Sequence, residues 1–160
     1  QYVTGAPRFT SVKKGTKNIV YLWARKEFQN ISKCYDCGIS VVTPRHVSKN
    51  ILIMDFEGND GKPENTLLES EIEENDYRQS ISLIADLYKK AKLVHGDFSE
   101  YNIFKTKTGL KVFDLGSAVD TTHPNTIEFL KRDINNITNF FVKRGLTVEN
   151  PADILERITK

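Results

Sequence analysis

Asp97, Asn102 and Asp114 are three oxygen-bearing side chains set beside short apolar fragments. They lie in the run Leu93-Val94-His95-Gly96-Asp97-Phe98-Ser99-Glu100-Tyr101-Asn102-Ile103-Phe104 and its continuation Lys111-Val112-Phe113-Asp114-Leu115-Gly116. The turn Thr106-Lys107-Thr108-Gly109 predicts a hairpin centred at 107/108, which sets residue 102 opposite 113 and makes Asn102 and Asp114 neighbours. Magnesium takes oxygen ligands and keeps several waters, so one carboxylate, one amide oxygen and the phosphates of a nucleotide make a site for it. Asp97, five residues before Asn102, would point beyond the terminal phosphate, where it could orient a hydroxyl and accept its proton. That is the chemistry of phosphoryl transfer. Singly, each residue is ordinary: Asp97 as a loop turn-former, Asn102 as a hydrogen-bonding loop residue, Asp114 as a strand-end cap. His-x-Asp-x-x-x-x-Asn followed within a short hairpin by apolar-apolar-Asp-x-Gly is far more specific.

The elements that must hold these residues are legible from periodicity. Apolar Ile19, Trp23, Ile31 and Cys34 recur at helical spacing between about residues 17 and 37, with Gly38 as a natural stop. Glu27 falls on that apolar face, where an ionised carboxylate needs a cation or strong donors unless it reaches solvent at the edge of the stripe. Residues 44–49 and 51–56 read as two strands, the second apolar enough to be central in a sheet. The acidic stretch from Glu57 to Asp76 reads as a connector. Residues 76–91 and 124–145 are helical, and Pro151 opens a short terminal helix. Residues 1–16 read as loop.

A chain of 160 residues with 39% hydrophobic and 28% charged side chains has enough apolar surface for a packed core, which excludes disorder and collagen-like repeats. No apolar run approaches the ~18 residues that cross a bilayer, so a soluble, cytoplasmic protein without a membrane partner is expected. The start at Gln1 suggests a trimmed piece of a longer protein. Residues 1–49 carry nine basic and two acidic side chains, a net +7, residues 50–78 a net −7 and residues 79–160 a net +2. The basic stretch could face phosphate or RNA, or simply water. Cys34 and Cys37 form one CxxC with no second ligand pair for zinc, and they sit near a helix C-terminus, where the dipole does not activate a thiol. They read as structural.

Taken together, the site segments resemble the catalytic loop and metal-binding loop of the protein-kinase-like superfamily, with Asp114-Leu115-Gly116 in place of Asp-Phe-Gly. The finer resemblance is to the RIO kinases, atypical serine protein kinases, nearer their first branch than their second. It is carried by Tyr2 to Phe9 (YVTGAPRF), Trp23 to Phe28 (WARKEF), Val94 to Ile103 and Phe129 to Ile137 (FLKRDINNI). The resemblance implies an α+β, protein-kinase-like fold: a partial N-terminal lobe over residues 1–56 and a C-terminal catalytic lobe over 57–160. It implies ATP and Mg2+ (or Mn2+) as cofactors, Asp97 as catalytic base, and Asn102 and Asp114 as metal ligands. Asp114 would also be a candidate for transient phosphorylation, making an ATPase cycle possible. Met54 would back the adenine, backbone groups of Asp55 and Glu57 would meet it, and Glu27 would pair with a strand lysine. A role on the maturing small ribosomal subunit, with pre-ribosomal RNA or proteins as partners, is implied too. The protein substrate is left open.

The family places a phosphate-covering loop and that lysine on strands before the first helix, where this chain has only sixteen residues. Gly5 and Gly15 are too isolated for such a loop, and Lys13, Lys14 and Lys17 lie in loop or at a helix start. Truncation is therefore expected rather than degeneration, with weak nucleotide binding and little turnover from this chain alone. Two other functions stay open: a kinase-like RNA- or protein-binding module without catalysis, and a small-molecule phosphotransferase of the aminoglycoside or choline kinase type.

Overall fold

The computed structural model describes residues 15–160. The expectations for residues 1–14, including Gly5, Lys13, Lys14 and the Tyr2 to Phe9 run, lie outside the described residues. Helix α1 (Thr16–Asp36) ends where the sequence places its stop. Gly38 takes φ 72°, and the Gly38 and Ile39 amides donate to the Tyr35 and Cys34 carbonyls at 2.9 and 3.0 Å. This cap closes the last turn, because glycine adopts the left-handed conformation without a Cβ clash.

Strands β1 (Pro44–Ser48) and β2 (Ile51–Met54) form an antiparallel pair in the register Val47↔Leu52. The central position expected for β2 is not what the structure shows. Among the described residues β2 pairs only with β1, and Ile51 and Ile53 stand 60% and 49% exposed. Its apolar run has a covered face through Leu52 and Met54 and an uncovered one.

The acidic connector holds a miniature hairpin, β3 (Gly58–Asn59) and β4 (Lys62–Pro63), then a 3-10 turn at Leu67–Glu69. Helix α2 (Glu74–Lys89) starts two residues earlier than the periodicity predicts. Asp76 accounts for this by taking the Glu73 amide at 2.8 Å, so its carboxylate satisfies an orphan donor of the first turn.

Four short strands carry the site: β5 (Leu93–Val94), β6 (Ile103–Thr106), β7 (Gly109–Val112) and β8 (Val119–Asp120). β6 and β7 form the expected hairpin, Ile103↔Val112 to Thr106↔Gly109, and β5 pairs with β8. Helices α3 (Thr126–Lys143) and α4 (Pro151–Thr159) complete the chain, the latter opened by Pro151 and by Asn150, whose Oδ1 accepts from the Ala152 amide at 2.9 Å.

The core lies between α2, α3 and α4 and under the site strands. Ile84, Leu87, Ile134, Ile137, Phe141, Ile154 and Ile158 are buried there, together with Phe98, Ile103, Val112 and Leu115 from the site segments. Each such side chain contributes about 1.5–3 kcal/mol on burial. The residues that flank the chemistry are therefore held by the same packing that holds the fold. Among the described residues no helix is long and apolar enough to cross a membrane.

Candidate active site

Between Leu93 and Phe98 only Asp97 is exposed, and between Val112 and Ala118 only Asp114 is exposed. Most of their neighbours are buried, so the two carboxylates project into solvent from loops whose flanks belong to the core. Asp114 holds φ 57°, a left-handed conformation that aspartate enters more readily than most residues.

The hairpin register brings the pieces together as the turn predicts. The Phe113 amide donates to the Asn102 carbonyl at 3.1 Å, one step beyond the Ile103↔Val112 pair, so Asn102 adjoins Asp114 in the fold. Asn102 is 9% exposed, and its Nδ2 donates to the Asp97 carbonyl at 2.9 Å and to Asp97 Oδ2 at 3.3 Å. With its amide nitrogen turned towards Asp97, the oxygen of Asn102 is the atom left for another ligand. An amide oxygen beside one exposed carboxylate suits a hard divalent ion that keeps water and phosphate in its remaining positions. The donor set fits magnesium or manganese. It does not fit a protein-only metal cage, and among the described residues no group of three or more His, Cys, Asp or Glu could form one.

His95 is fully enclosed. Its Nδ1 accepts the Asp97 amide at 3.2 Å, so Nε2 carries the proton and donates to the Phe113 carbonyl at 3.1 Å. This buried imidazole joins the loop of Asp97 to the loop of Asp114.

From the other side, α1 packs on the segment after Asp114. Asn30 Nδ2 donates to the Leu115 and Ala118 carbonyls at 3.0 and 3.4 Å. A Cβ on Gly116 would stand 2.5 Å from Trp23 Nε1 and 3.6 Å from Glu27 Oε2, so only glycine allows this approach. Glu27 is thereby carried to the loop of Asp114. Burial pushes its carboxyl up from the ordinary range, and the negative charge of Asp114 pushes it further. A group raised in the folded state lends stability that is complete below the ordinary carboxylate range and is lost as pH rises through its raised value. Glu27→Gln should therefore melt with the wild type near pH 4 and above it at pH 8, by about 2–4 °C for each kcal/mol relieved. A melting difference that is the same at both pH values would show that the strain lies elsewhere.

The residues expected to meet adenine lie at the end of β2. The Asp55 amide donates to the Thr43 carbonyl at 2.9 Å, and the Glu57 carbonyl accepts from the Glu64 amide at 2.9 Å. Arg45 holds the Asp55 carboxylate with two bonds of 2.6 Å, keeping it below the usual carboxylate range. The Glu57 carboxylate meets Lys111 Nζ at 2.8 Å, with both side chains mostly buried, which joins this segment to β7. Met54 is half-buried against the core. Lys17 is an exposed residue of α1. Cys34 is buried, its thiol pushed up to about 12 mainly by that burial, and Cys37 is exposed with Sγ 3.6 Å from the Lys90 carbonyl.

Sequence reasoning missed Asp133 and Lys26. Asp133, on α3 and 1% exposed, accepts the Gly96 amide at Oδ2 (2.8 Å) and the Phe98 amide at Oδ1 (3.0 Å), so it grips the loop on both sides of Asp97. Burial pushes its carboxyl up, against the pull of those two amides. The signal was present, since Asp133 falls three after Leu130 and four before Ile137 on an apolar face, the pattern that singled out Glu27. Lys26, beside Glu27 on α1, is 1% exposed, and no periodicity announces it.

Comparison with known proteins gives one family. The RIO domain model matches residues 1–154. The RIO-type serine/threonine-protein kinase Rio1 of Thermoplasma acidophilum is 37% identical over 161 residues, covering all of this chain and 84% of that protein. Serine/threonine-protein kinase RIO1 of Caenorhabditis elegans is 33% identical over 164 residues, covering 99% of this chain and 32% of that protein. Its Dictyostelium discoideum counterpart is 33% identical over 165 residues, covering 99% of this chain and 29% of that protein. The chain thus spans about a third of the length of those two relatives. Among solved structures, the ADP/Mg2+-phosphoaspartate complex of the Rio2 kinase from Chaetomium thermophilum superposes with a TM-score of 0.70 at 26% identity, over 86% of this chain and 44% of that one. A second structure of that kinase gives 0.72 at 24% identity, over 92% and 49%. The fold is therefore α+β and kinase-like.

Proposed function

Because the chain belongs to the RIO domain family, whose curated relatives are serine/threonine-protein kinases, we propose that its site transfers the terminal phosphoryl group of ATP. The observation that carries this reading is the Asp97–Asn102–Asp114 cluster. One exposed carboxylate is hydrogen-bonded to an amide whose oxygen faces away from it, and a second carboxylate adjoins that amide through the hairpin. Asn102 and Asp114 would hold the divalent ion, which when bound neutralises charge on the nucleotide phosphates. Asp97 orients a serine or threonine hydroxyl. As the oxygen bonds to phosphorus and the bond to ADP breaks, its proton passes to the Asp97 carboxylate. Alternatively Asp114 is itself the acceptor, forming an acyl phosphate that water later cleaves. This gives an ATPase cycle, and the phosphoaspartate in the Chaetomium Rio2 complex lends that route support.

The engaged Asp55 amide and Glu57 carbonyl leave the Asp55 carbonyl and the Glu57 amide for the adenine edge, with Met54 behind them. Residues 1–56 would be a partial N-terminal lobe and 57–160 the catalytic lobe. A cytoplasmic role in small ribosomal subunit maturation rests on the family resemblance alone.

The test is incubation with Mg-[γ-32P]ATP and a serine peptide. Label stable to hydroxylamine on the peptide is the expected kinase outcome, and hydroxylamine-labile label on the protein is the expected outcome of the Asp114 route. Absence of both, at protein concentrations high enough to detect a single turnover, would refute phosphoryl transfer by this chain.

A further inference from the structure

Resting on the phosphoryl-transfer reading, we propose that Arg132 is a positioning residue for Asp97, acting through the peptide group that precedes it. Arg132 Nη2 donates to the Gly96 carbonyl, while the neighbouring Asp133 takes the Gly96 and Phe98 amides and His95 takes the Asp97 amide. Three successive N–H groups and one carbonyl around Asp97 are therefore each held by a named side chain, and Arg132 is the holder of the carbonyl.

The loop needs that hold because Gly96 sits at φ 80°. A glycine passes easily between conformations, so the Gly96–Asp97 peptide plane is the soft point of the loop, and its rotation would swing the Asp97 carboxylate. A bulkier residue cannot stiffen it, since a Cβ there would stand 3.0 Å from the Ser117 carbonyl. The restraint has to come from outside.

Arg132 can supply it although its side chain is exposed. Its guanidinium lies 5.1 Å over the Phe129 ring, which is 5.6 Å from the His123 ring, so the cation rests over an aromatic face while it donates. An aromatic face and a carbonyl acceptor together suit a cationic donor at this position, a role that lysine can share.

The experiment compares Arg132→Met and Arg132→Lys with the wild-type full chain, reading kcat and KM for Mg-ATP together with hydrogen exchange of the 96–98 amides. Arg132→Met is expected to lower kcat by about 10–100-fold, the scale of a small misplacement of a reacting group. It should leave KM for Mg-ATP within about twofold and speed exchange at 96–98 but not in the interior of α3. Arg132→Lys, which can still donate to the carbonyl, should recover most of kcat. A raised KM with unchanged kcat, or faster 96–98 exchange with unchanged kcat, would overturn the proposal. Should the wild type itself prove inactive, the phosphoryl-transfer reading is what fails. The exchange measurement then decides the clamp, with unchanged 96–98 rates in both variants refuting it. If Arg132→Met does not fold, Arg132→Lys with wild-type exchange and a tenfold lower kcat would refute it as well.

Discussion

Replacing Asp97 by Asn should cut phosphoryl transfer by about 10²–10⁴-fold while Mg-ADP affinity stays within about twofold. Asn preserves the shape and can still accept from Asn102 Nδ2, which lies 3.3 Å from Asp97 Oδ2, so the loop has no reason to rearrange. The substitution removes the capacity to take a proton from the attacking hydroxyl. Single-turnover transfer from labelled ATP, beside calorimetric titration with Mg-ADP, separates the two effects. A variant that loses nucleotide binding in step with transfer would show that Asp97 is a structural member of the loop and not its base.

Asp114→Asn is expected to weaken Mg-dependent ADP binding by about tenfold or more, the scale on which even indirect partners of a metal site act. Asparagine tolerates the left-handed backbone at φ 57° and keeps an oxygen, so the loss isolates the negative charge. In the wild type, chelating the metal with EDTA should reduce ADP affinity by a similar factor, whereas the variant should be nearly indifferent to EDTA. Equal metal dependence in both proteins would remove Asp114 from the site. The same substitution should let the Glu27 carboxyl fall back towards its ordinary range, because the Asp114 charge that helps to raise it is gone. A matching reduction in the pH dependence of melting would tie the two carboxylates into one electrostatic unit.

The features readable in advance are those governed by short stretches of chain. The turn at residues 106–109 set the pairing of β6 with β7, and with it the approach of Asn102 to Asp114, because a hairpin's register follows from its loop. Gly38 marked the end of α1, the periodicities of α2 and α3 placed those helices to within two residues at each end, and Pro151 marked the start of α4. The apolar face of α1 was legible only in part. Ile31 and Cys34 are fully buried, but Trp23 remains 39% exposed, lying along Gly116 at the site. β2 read as central because its composition is apolar on both faces, and composition does not say whether a second sheet neighbour exists.

By itself the sequence determined which residues are candidates for the chemistry and the turn, helix and cap geometry around them, since turn conformation, helical period and cap identity are properties of a few adjacent residues. The tertiary structure alone decided what holds the loop of Asp97 in place. Asp133 and Arg132 reach Gly96 across more than thirty residues of chain, Asn30 reaches Leu115 across eighty-five, and Lys111 meets Glu57 across fifty-four. Such contacts leave no periodic trace, because they arise from where packed helices bring their side chains and not from spacing along the chain. Glu27 shows the division within one residue. Its place on an apolar face is written in the spacing, but the burial that chiefly raises its carboxyl and the Asp114 charge that adds to it come only once α1 has docked on the loop of Asp114.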